Sequence, residues 1–180
     1  MAEQDKISRA ERLLIAGGPG RGKSTLASNL AYRLKLTHLC TDPQRLLPLT
    51  MNGTPDDLDW GGENGVGRWV SEKWLGRNRT VIEGCHLADA LKHWVRDRES
   101  GYGPAEARSS QICDRLIWLR DKPGHFRDEM PGQLRQAEHV RRVFESLRTH
   151  LDNLEIWYPD GRGGFRRDDN GTRDFSSDNA

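Results

Sequence analysis

The segment at residues 13–30, LLIAGGPGRGKSTLASNL, constrains the fold of this chain more than any other feature. Gly17, Gly22, Lys23 and Ser24 fit the pattern G-x-x-x-x-G-K-S/T, which requires a strand before the loop and a helix after it. The preceding run, RLLIA, is short and apolar, as expected of a buried strand. The leucines that follow recur every four residues, which predicts an amphipathic helix. The segment therefore predicts a strand, a glycine loop and a helix in succession.

Apolar runs alternate with helical spacing along the rest of the chain. Further strands are predicted at Leu36–Cys40, Thr80–Gly84, Ile112–Leu119 and 154–158, and helices at 66–74, 87–95 and 134–151. Such alternation is typical of a parallel sheet covered by helices on both faces. We therefore expect one α/β domain over residues 1–158. Residues 159–180 contain little that could be buried, so we expect a disordered tail there.

Composition excludes several other classes of protein. Hydrophobic residues make up 34% of the chain and charged residues 31%, with a mean hydropathy of -0.83. No segment approaches the ~20 apolar residues of a membrane span, and the first residues are too polar for a secretory signal. We therefore expect a cytoplasmic protein with no membrane partner. Cys40, Cys85 and Cys113 lie in or beside apolar runs, which favours reduced core thiols over disulfides or a zinc site.

The glycine loop is predicted to bind a nucleoside triphosphate. Glycines allow successive backbone N–H groups to turn towards phosphate oxygens, and the amino terminus of a helix adds its positive end. Lys23 would reach the outer phosphates from a solvent-facing position, and the Ser24 hydroxyl would bind Mg²⁺. We expect ATP to be held by the whole loop, namely Gly17, Gly18, Pro19, Gly20, Arg21, Gly22, Lys23, Ser24 and Thr25. The alternative is a glycine-rich turn that binds nothing, and the strand and helix on either side argue against it.

Two carboxylates follow later predicted strands. Asp42 lies at the carboxyl end of the second strand, where open α/β sheets place their ligands. A carboxylate there could accept the proton of an attacking hydroxyl, and Arg45 could hold an anionic group of the acceptor. Glu83 ends the third strand and would support the metal ion or the acceptor. The alternatives are an Asp-Pro turn with a surface arginine and an ordinary strand-end glutamate.

Several arginines and a tryptophan are further candidates for the acceptor side. Arg127 follows the fourth strand and Arg135 lies at the start of the longest helix, so both are candidates for a lid, with Arg127 in a catalytic role. Trp60, in a loop rich in Gly and Asp, could stack on a base of the acceptor. The net charge is only +1, so DNA binding would need a local basic patch, for which Arg141 and Arg142 are additional candidates.

Together these features resemble small P-loop kinases of tailed phages. Asp42 and Arg45 at the end of the second strand resemble the Asp-x-x-Arg motif of phage polynucleotide kinase. Three further runs also resemble small phage kinases, namely VSEKWL (70–75), VIEGCHLADAL (81–91) and GQLRQAEHV (132–140). Those kinases include thymidylate-kinase-like proteins and the kinases that phosphorylate 5-hydroxymethyluracil in DNA. The resemblance covers about residues 12–157.

The resemblance implies both an architecture and a chemistry. The fold would be a kinase-type P-loop NTPase, a three-layer sandwich with a five-stranded parallel sheet, the P-loop strand in its middle and a lid over the site. Asp42 would activate a nucleic-acid hydroxyl, and Arg45 would support the acceptor. ATP and Mg²⁺ would be the cofactors.

Departures from related kinases bear on the acceptor. Adenylate-kinase-like enzymes carry Asp-Gly-aromatic-Pro-Arg after the third strand, whereas this chain has EGCHLA there. Thymidylate kinases carry an acidic opening of the P-loop and an Asp-Arg-aromatic run, and this chain has neither. A monophosphate acceptor attacks through an anionic oxygen, so it needs arginine clamps more than a base. The residues therefore favour a kinase of a hydroxyl on a nucleotide or nucleic acid, and the resemblance to phage kinases implies 5-hydroxymethyluracil in phage DNA as the specific acceptor. A small nucleoside monophosphate kinase is the alternative. A third possibility, a switch-like nucleotide-binding protein, is disfavoured because the chain lacks an Asn-Lys-x-Asp guanine motif.

Overall fold

The computed structural model describes residues 11–42, 65–101, 112–120, 131–151, 153–159 and 164–168. Its strands are β1 (Arg12–Gly17), β2 (Thr37–Cys40), β3 (Thr80–Glu83), β4 (Arg115–Leu119), β5 (Leu154–Pro159) and β6 (Phe165–Arg167). Its helices are α1 (Lys23–Leu34), α2 (Val66–Lys73), α3 (Leu87–Ser100) and α4 (Pro131–Leu147), the last continuing as a 3₁₀ turn at Arg148–His150. None of the helices in these ranges is both long and apolar enough to cross a bilayer.

The strands form one sheet in the order β2-β3-β1-β4-β5-β6. The pairs β2–β3, β3–β1, β1–β4 and β4–β5 are parallel, and β6 runs antiparallel to β5. The predicted five-stranded parallel sheet with the loop-bearing strand β1 in its middle is therefore confirmed, with one further strand at its edge. Because parallel strands end at the same edge of a sheet, the residues that follow β1, β2, β3 and β4 meet there.

Helices cover both faces of this sheet and make it the middle of three layers. On one face, Ala27 of α1 belongs to an apolar cluster with Ile15 of β1. On the other face, α2, α3 and α4 share a larger cluster with Leu14, and Trp118 of β4 stacks on Phe144 with ring centroids 5.3 Å apart. Successive strand residues point to opposite faces, so β1 is apolar at every interior position.

β4 begins at Arg115, three residues later than predicted. The carboxylate of Asp114 accepts the backbone N–H groups of Glu11 at 2.7 Å and Arg12 at 2.9 Å, and it pairs with the Arg12 guanidinium at 3.0 Å. Burial alone would raise the pKa of Asp114, but these bonds hold that pKa below its ordinary value. Asp114 therefore stabilises the start of β1, at the end of the sheet away from the glycine loop.

Strand β6 lies inside the segment that was expected to be a disordered tail, so that expectation is wrong for residues 164–168. Arg166 pairs with Tyr158 of β5, and the N–H of Asp168 donates to the Ile156 carbonyl at 2.8 Å. Phe165 packs against the apolar cluster on the α1 face. The strand forms because it covers the exposed edge of β5 while Phe165 supplies apolar contact. Residues 160–163 and 169–180 lie outside the described ranges, and the domain boundary at residue 158 stays a prediction.

Candidate active site

The glycine loop joins β1 to α1 at the carboxyl edge of the sheet. Gly20 and Gly22 adopt left-handed backbone conformations, with φ of 69° and 77°, which glycine enters without steric cost. α1 begins directly after Gly22, and the Gly22 carbonyl accepts the N–H of Leu26 at 3.0 Å. In the described part of the chain, no side chain caps the amino terminus of α1, which leaves its first N–H groups for an anion.

Two cations of the loop are buried, whereas Lys23 was expected to face solvent. Lys23 is 6% exposed, and its Nζ donates to the Gly18 carbonyl at 3.0 Å. Arg21 is also buried, and its Nη1 donates to the Pro19 carbonyl at 3.3 Å. Carbonyl oxygens of the loop thus hold both cations in place. A phosphate group in the loop would offer Lys23 a stronger, charged acceptor than the Gly18 carbonyl.

α4 and β6 both pack directly on the glycine loop, a contact that the sequence did not indicate. A Cβ atom at Gly18 would lie 2.8 Å from the Cβ of Ala137 in α4. A Cβ atom at Gly22 would lie 2.8 Å from the Cζ of Phe165 in β6. Gly18 therefore has no space for a side chain, and Gly22 needs glycine for its backbone angle as well.

The structure places Asp42 and Glu83 next to each other at the edge that carries the loop. Cys40 pairs with Glu83 in the register of β2 and β3, and Asp42 follows two residues later. The Cys40 sulfur and one oxygen of each carboxylate lie within 4.8 Å of one another. Asp42 Oδ1 accepts the backbone N–H of Cys85 at 2.8 Å. Glu83 is fully buried while Asp42 is half-buried, so Asp42 is the carboxylate that an incoming acceptor could reach.

Glu83 lies among polar groups that stabilise its charge. Burial alone would raise the pKa of Glu83, but His38, Cys40 and Ser24 beside the carboxylate and the charge of Lys23 hold that pKa below its ordinary value. Glu83 Oε1 lies 3.3 Å from His38 Nε2. Its other oxygen, Oε2, is buried and has no hydrogen-bond partner within the described ranges. Glu83 is therefore an ionised side chain with one acceptor oxygen left over.

A short polar chain on the α1 face fixes the position of His38. His38 Nδ1 lies 3.3 Å from the hydroxyl of Ser28, and His38 Nε2 lies 3.3 Å from Glu83. In the tautomer that carries its proton on Nε2, His38 donates to Glu83 and accepts from Ser28. His38 therefore orients the Glu83 carboxylate, a role that the sequence did not indicate.

The buried oxygen of Glu83 fits the Mg²⁺ ion that accompanies ATP. Mg²⁺ takes oxygen ligands and keeps several of its waters, so a hydroxyl and one carboxylate suffice from the protein. Ser24, at the start of α1, and Glu83, whose Oε2 lacks a partner among the described residues, supply such a pair. The Cys40 thiol is a soft donor that Mg²⁺ does not prefer. Burial raises the pKa of Cys40 to about 12, so without a metal ion it is a neutral thiol.

Within the described ranges, Asp42 and Glu83 are the predicted acceptor residues that meet at this site. Arg45, Trp60 and Arg127 lie outside the described residues. Arg135 is exposed in the second turn of α4. Its role as a lid residue, like those of the other three, stays a prediction.

The basic patch considered for DNA is largely neutralised on α4. Arg141 pairs with Glu138 at 2.7 Å and with Glu145 at 2.8 Å, and Arg142 pairs with Glu138 at 3.0 Å. These bonds hold the pKa of Glu138 down to about 2. Arg141 and Arg142 therefore do not add uncompensated positive charge to this face.

A cleft of about 260 Å³ opens beside the loop on its α4 side. It is lined by Gly18 and Arg21 of the loop, by Trp118 and Arg120, and by Leu134 and Arg141 of α4. The Arg120 guanidinium lies over the Trp118 ring, 4.8 Å from its centroid. Asp42 and Glu83 do not line this cleft, whereas Glu138 does, so the cleft is separate from the Asp42–Glu83 pair and contains both charged and apolar groups.

Gly84 allows the turns after β2 and β3 to approach each other. Its φ is 128°, and a Cβ atom there would lie 2.3 Å from Thr41 Oγ1 and 3.0 Å from the Asp42 nitrogen. Thr41 is fully buried and cannot yield, because its N–H donates to the Glu83 carbonyl at 2.7 Å and its hydroxyl accepts the His86 N–H at 3.2 Å.

We expect Gly84→Ala to lower the free energy of unfolding by about 3 kcal/mol, because strain and a backbone clash combine there. Gly76→Ala is the matched control, since Gly76 also has a positive φ of 82° but has nothing within 4 Å of its Cβ position. Its expected loss is about 1 kcal/mol. Urea denaturation of both variants measures the difference. Equal losses would show that Gly84 is required only for its backbone angle.

This chain resembles known proteins in its fold rather than in its sequence. No protein-family model matches it, and no curated protein matches it. Among solved structures, it is similar to shikimate kinase from Bacteroides thetaiotaomicron, with 13% identity and a TM-score of 0.39 over 81% of this chain and 85% of that one. It is also similar to shikimate kinase from Acinetobacter baumannii in complex with shikimate, with 14% identity and a TM-score of 0.46 over 83% of this chain and 85% of that one. At this identity the likeness says nothing about the substrate.

Proposed function

We propose that this chain is a cytoplasmic, ATP- and Mg²⁺-dependent kinase that transfers a phosphoryl group to a hydroxyl. The observation that carries the proposal is the half-buried carboxylate of Asp42. It lies beside Glu83 at the edge of the sheet where the glycine loop leads into α1. A hydroxyl is a poor nucleophile at neutral pH, and a positioned carboxylate that takes its proton makes it a better one. Proteins that only bind a nucleotide need no such base.

Each residue of the site has a proposed role in that transfer. The backbone N–H groups of the loop and the Lys23 ammonium hold the phosphates and stabilise negative charge on the transferred group. Ser24 and Glu83 hold the Mg²⁺ ion, which neutralises charge on the phosphate oxygens when bound. Asp42 Oδ1 accepts the hydrogen bond from the Cys85 N–H, and the other carboxylate oxygen of Asp42 accepts the proton of the hydroxyl. His38 holds Glu83 in place.

The acceptor that we propose is the hydroxymethyl group of 5-hydroxymethyluracil, in DNA or as a nucleotide. The support is the resemblance of the Asp42 segment and of three other runs to phage kinases. Arg45 and Trp60 are proposed to contact the acceptor, and Arg127 and Arg135 to close over the phosphoryl group. Because Arg141 and Arg142 pair with glutamates, we expect a single hydroxymethylated nucleotide, extruded from DNA or free, to be recognised rather than a long stretch of backbone.

Transfer of label from γ-labelled ATP to a panel of acceptors tests this proposal. The panel contains duplex and single-stranded DNA with 5-hydroxymethyluracil, the matched thymine DNA, the hydroxymethylated nucleotide, and thymidylate. We expect label on the hydroxymethylated species only, because thymine lacks the hydroxyl. Label on thymidylate but on no hydroxymethylated species would support the monophosphate kinase alternative. Slow hydrolysis of ATP with no labelled acceptor would support a nucleotide-dependent switch.

A further inference from the structure

We propose that Cys40, Asp42 and Glu83 bind a thiophilic divalent cation, such as Zn²⁺ or Cd²⁺, and that this ion inhibits the kinase by occupying Asp42. The inhibition rests on the proposed function, whereas the binding does not. The ion differs from the Mg²⁺ that accompanies ATP, and the two would compete for Glu83. Its site lies at the carboxyl ends of β2 and β3.

The three side chains converge because of the strand register. Cys40 and Glu83 are direct neighbours across β2 and β3, and Asp42 follows Cys40 by two residues. One donor atom from each, a sulfur and two carboxylate oxygens, lies within 4.8 Å of the other two. Cys40 and Glu83 are buried, so these donors are held by the surrounding core rather than displayed on a mobile surface.

A buried oxygen without a partner marks the place for a cation. Glu83 is fully buried, and its Oε2 has no hydrogen-bond partner in the part of the chain that the structure describes. A buried polar atom left unsatisfied is destabilising, and a bound cation would satisfy it. His38 contacts the opposite oxygen of Glu83, in the way that an outer partner usually orients a ligating carboxylate.

The donor set selects the kind of metal ion. One sulfur and two carboxylate oxygens, with a water in the fourth position, match the tetrahedral coordination that Zn²⁺ adopts. Mg²⁺ prefers oxygen ligands in an octahedral arrangement, so the thiol favours softer ions over it. The thiol gives its proton to solvent as the sulfur–metal bond forms.

Occupation of this site would stop the proposed reaction at Asp42. An oxygen of Asp42 that donates to a metal ion cannot also accept the proton of a hydroxyl. Glu83 is shared with the proposed Mg²⁺ site, so the soft ion would disturb the metal that accompanies ATP as well. Inhibition by a stoichiometric soft metal ion is therefore expected.

Titration of the full chain with Cd²⁺, without nucleotide and in a phosphine reductant, tests the binding. We expect a near-ultraviolet thiolate-to-cadmium absorption band that saturates at one equivalent. Cys40→Ser should abolish the band, and Cys40→Ala serves if the serine variant unfolds. Cys113→Ser is the matched control, because Cys113 is a buried thiol beside Asp114 at the opposite end of the sheet. A band that survives loss of Cys40, or no band in the unaltered chain, would overturn the proposal.

The carboxylates and the inhibition are tested separately. Glu83→Gln should weaken Cd²⁺ binding at least about 10-fold, since even outer partners of a metal site contribute that much. With an acceptor that takes label, Zn²⁺ should inhibit the unaltered chain at saturating Mg²⁺ and ATP. The Zn²⁺ concentration for half-inhibition should rise at least about 10-fold in Cys40→Ser, each variant being compared with its own uninhibited rate. Cd²⁺ binding without inhibition by Zn²⁺ would refute the inhibitory role. If the chain has no kinase activity, the cadmium absorption band still tests whether the three side chains bind a metal ion.

Discussion

Lys23→Met is expected to lower the rate of phosphoryl transfer at least about 100-fold, the usual effect of removing one preorganised donor from a charged transition state. The Lys23 ammonium is buried and held on the Gly18 carbonyl, so its position is fixed before the substrate arrives. A fixed charge in a water-poor site stabilises developing negative charge more than a mobile surface lysine would. Single-turnover transfer of label from γ-labelled ATP measures the change.

Methionine is preferred to alanine at this position because Lys23 is buried. Lys23→Ala would leave an unfilled space as well as removing the charge, whereas methionine keeps the unbranched stem. Thermal unfolding should show the methionine variant folded. Lys92→Ala, a change at an exposed lysine on α3, is the control and should leave transfer unchanged. A methionine variant that retains more than about a tenth of the rate would contradict the role of Lys23, because that loss is only ~1.4 kcal/mol in the barrier.

The order of strands and helices could be predicted because each carries its own periodicity. β1 is buried on both faces and reads as an apolar run, and α1 shows leucines at helical spacing. β6 could not be predicted in this way. It has three residues, two of them arginines, and it forms because β5 offers an unpaired edge and the α1 face offers Phe165 a place to pack. The free edge of β5 and the apolar surface that receives Phe165 are both products of the tertiary fold, so the local sequence of β6 does not reveal them.

The sequence indicated that Asp42 and Glu83 would lie near each other, but it did not indicate which residues contact them. The position of Asp42 and Glu83 at strand ends indicated that they would share an edge, since parallel strands end together. The pairing of Cys40 with Glu83 depends on the register of β2 against β3, which no local pattern reveals. For the same reason His38 was not recognised as the partner of Glu83, and Cys40 was predicted only as a core thiol.

The sequence also did not indicate that Lys23 is buried. Motif chemistry places a lysine at the phosphates and predicts nothing about what covers it. In the structure, Ala137 of α4 lies against Gly18, whose carbonyl holds Lys23. α4 begins more than 100 residues after the loop, so sequence spacing could not relate the two.

Asp42→Asn is expected to lower turnover about 100-fold or more, with little change in the affinity for ATP. Asparagine keeps the size of the side chain, and its amide oxygen can still accept the Cys85 N–H that now bonds to Asp42 Oδ1 at 2.8 Å. The change therefore removes the proton acceptor while it preserves the turn after β2. Glu99→Gln is the matched control, since it makes the same carboxylate-to-amide change on an exposed residue of α3 and should leave turnover unchanged.

The Mg²⁺ dependence of turnover distinguishes a base from a metal ligand. If Asp42 accepts the proton, Asp42→Asn should bind Mg²⁺ and ATP as the unaltered chain does, and excess Mg²⁺ should not restore its rate. If Asp42 instead holds the metal ion of ATP, the variant should lose affinity for Mg²⁺ and ATP, and excess Mg²⁺ should restore part of its rate. That second result would leave Glu83 or water as the acceptor of the proton. Glu83 is fully buried and already bound by His38, so it is poorly placed to receive a proton from a second substrate, and the half-buried Asp42 is the better candidate.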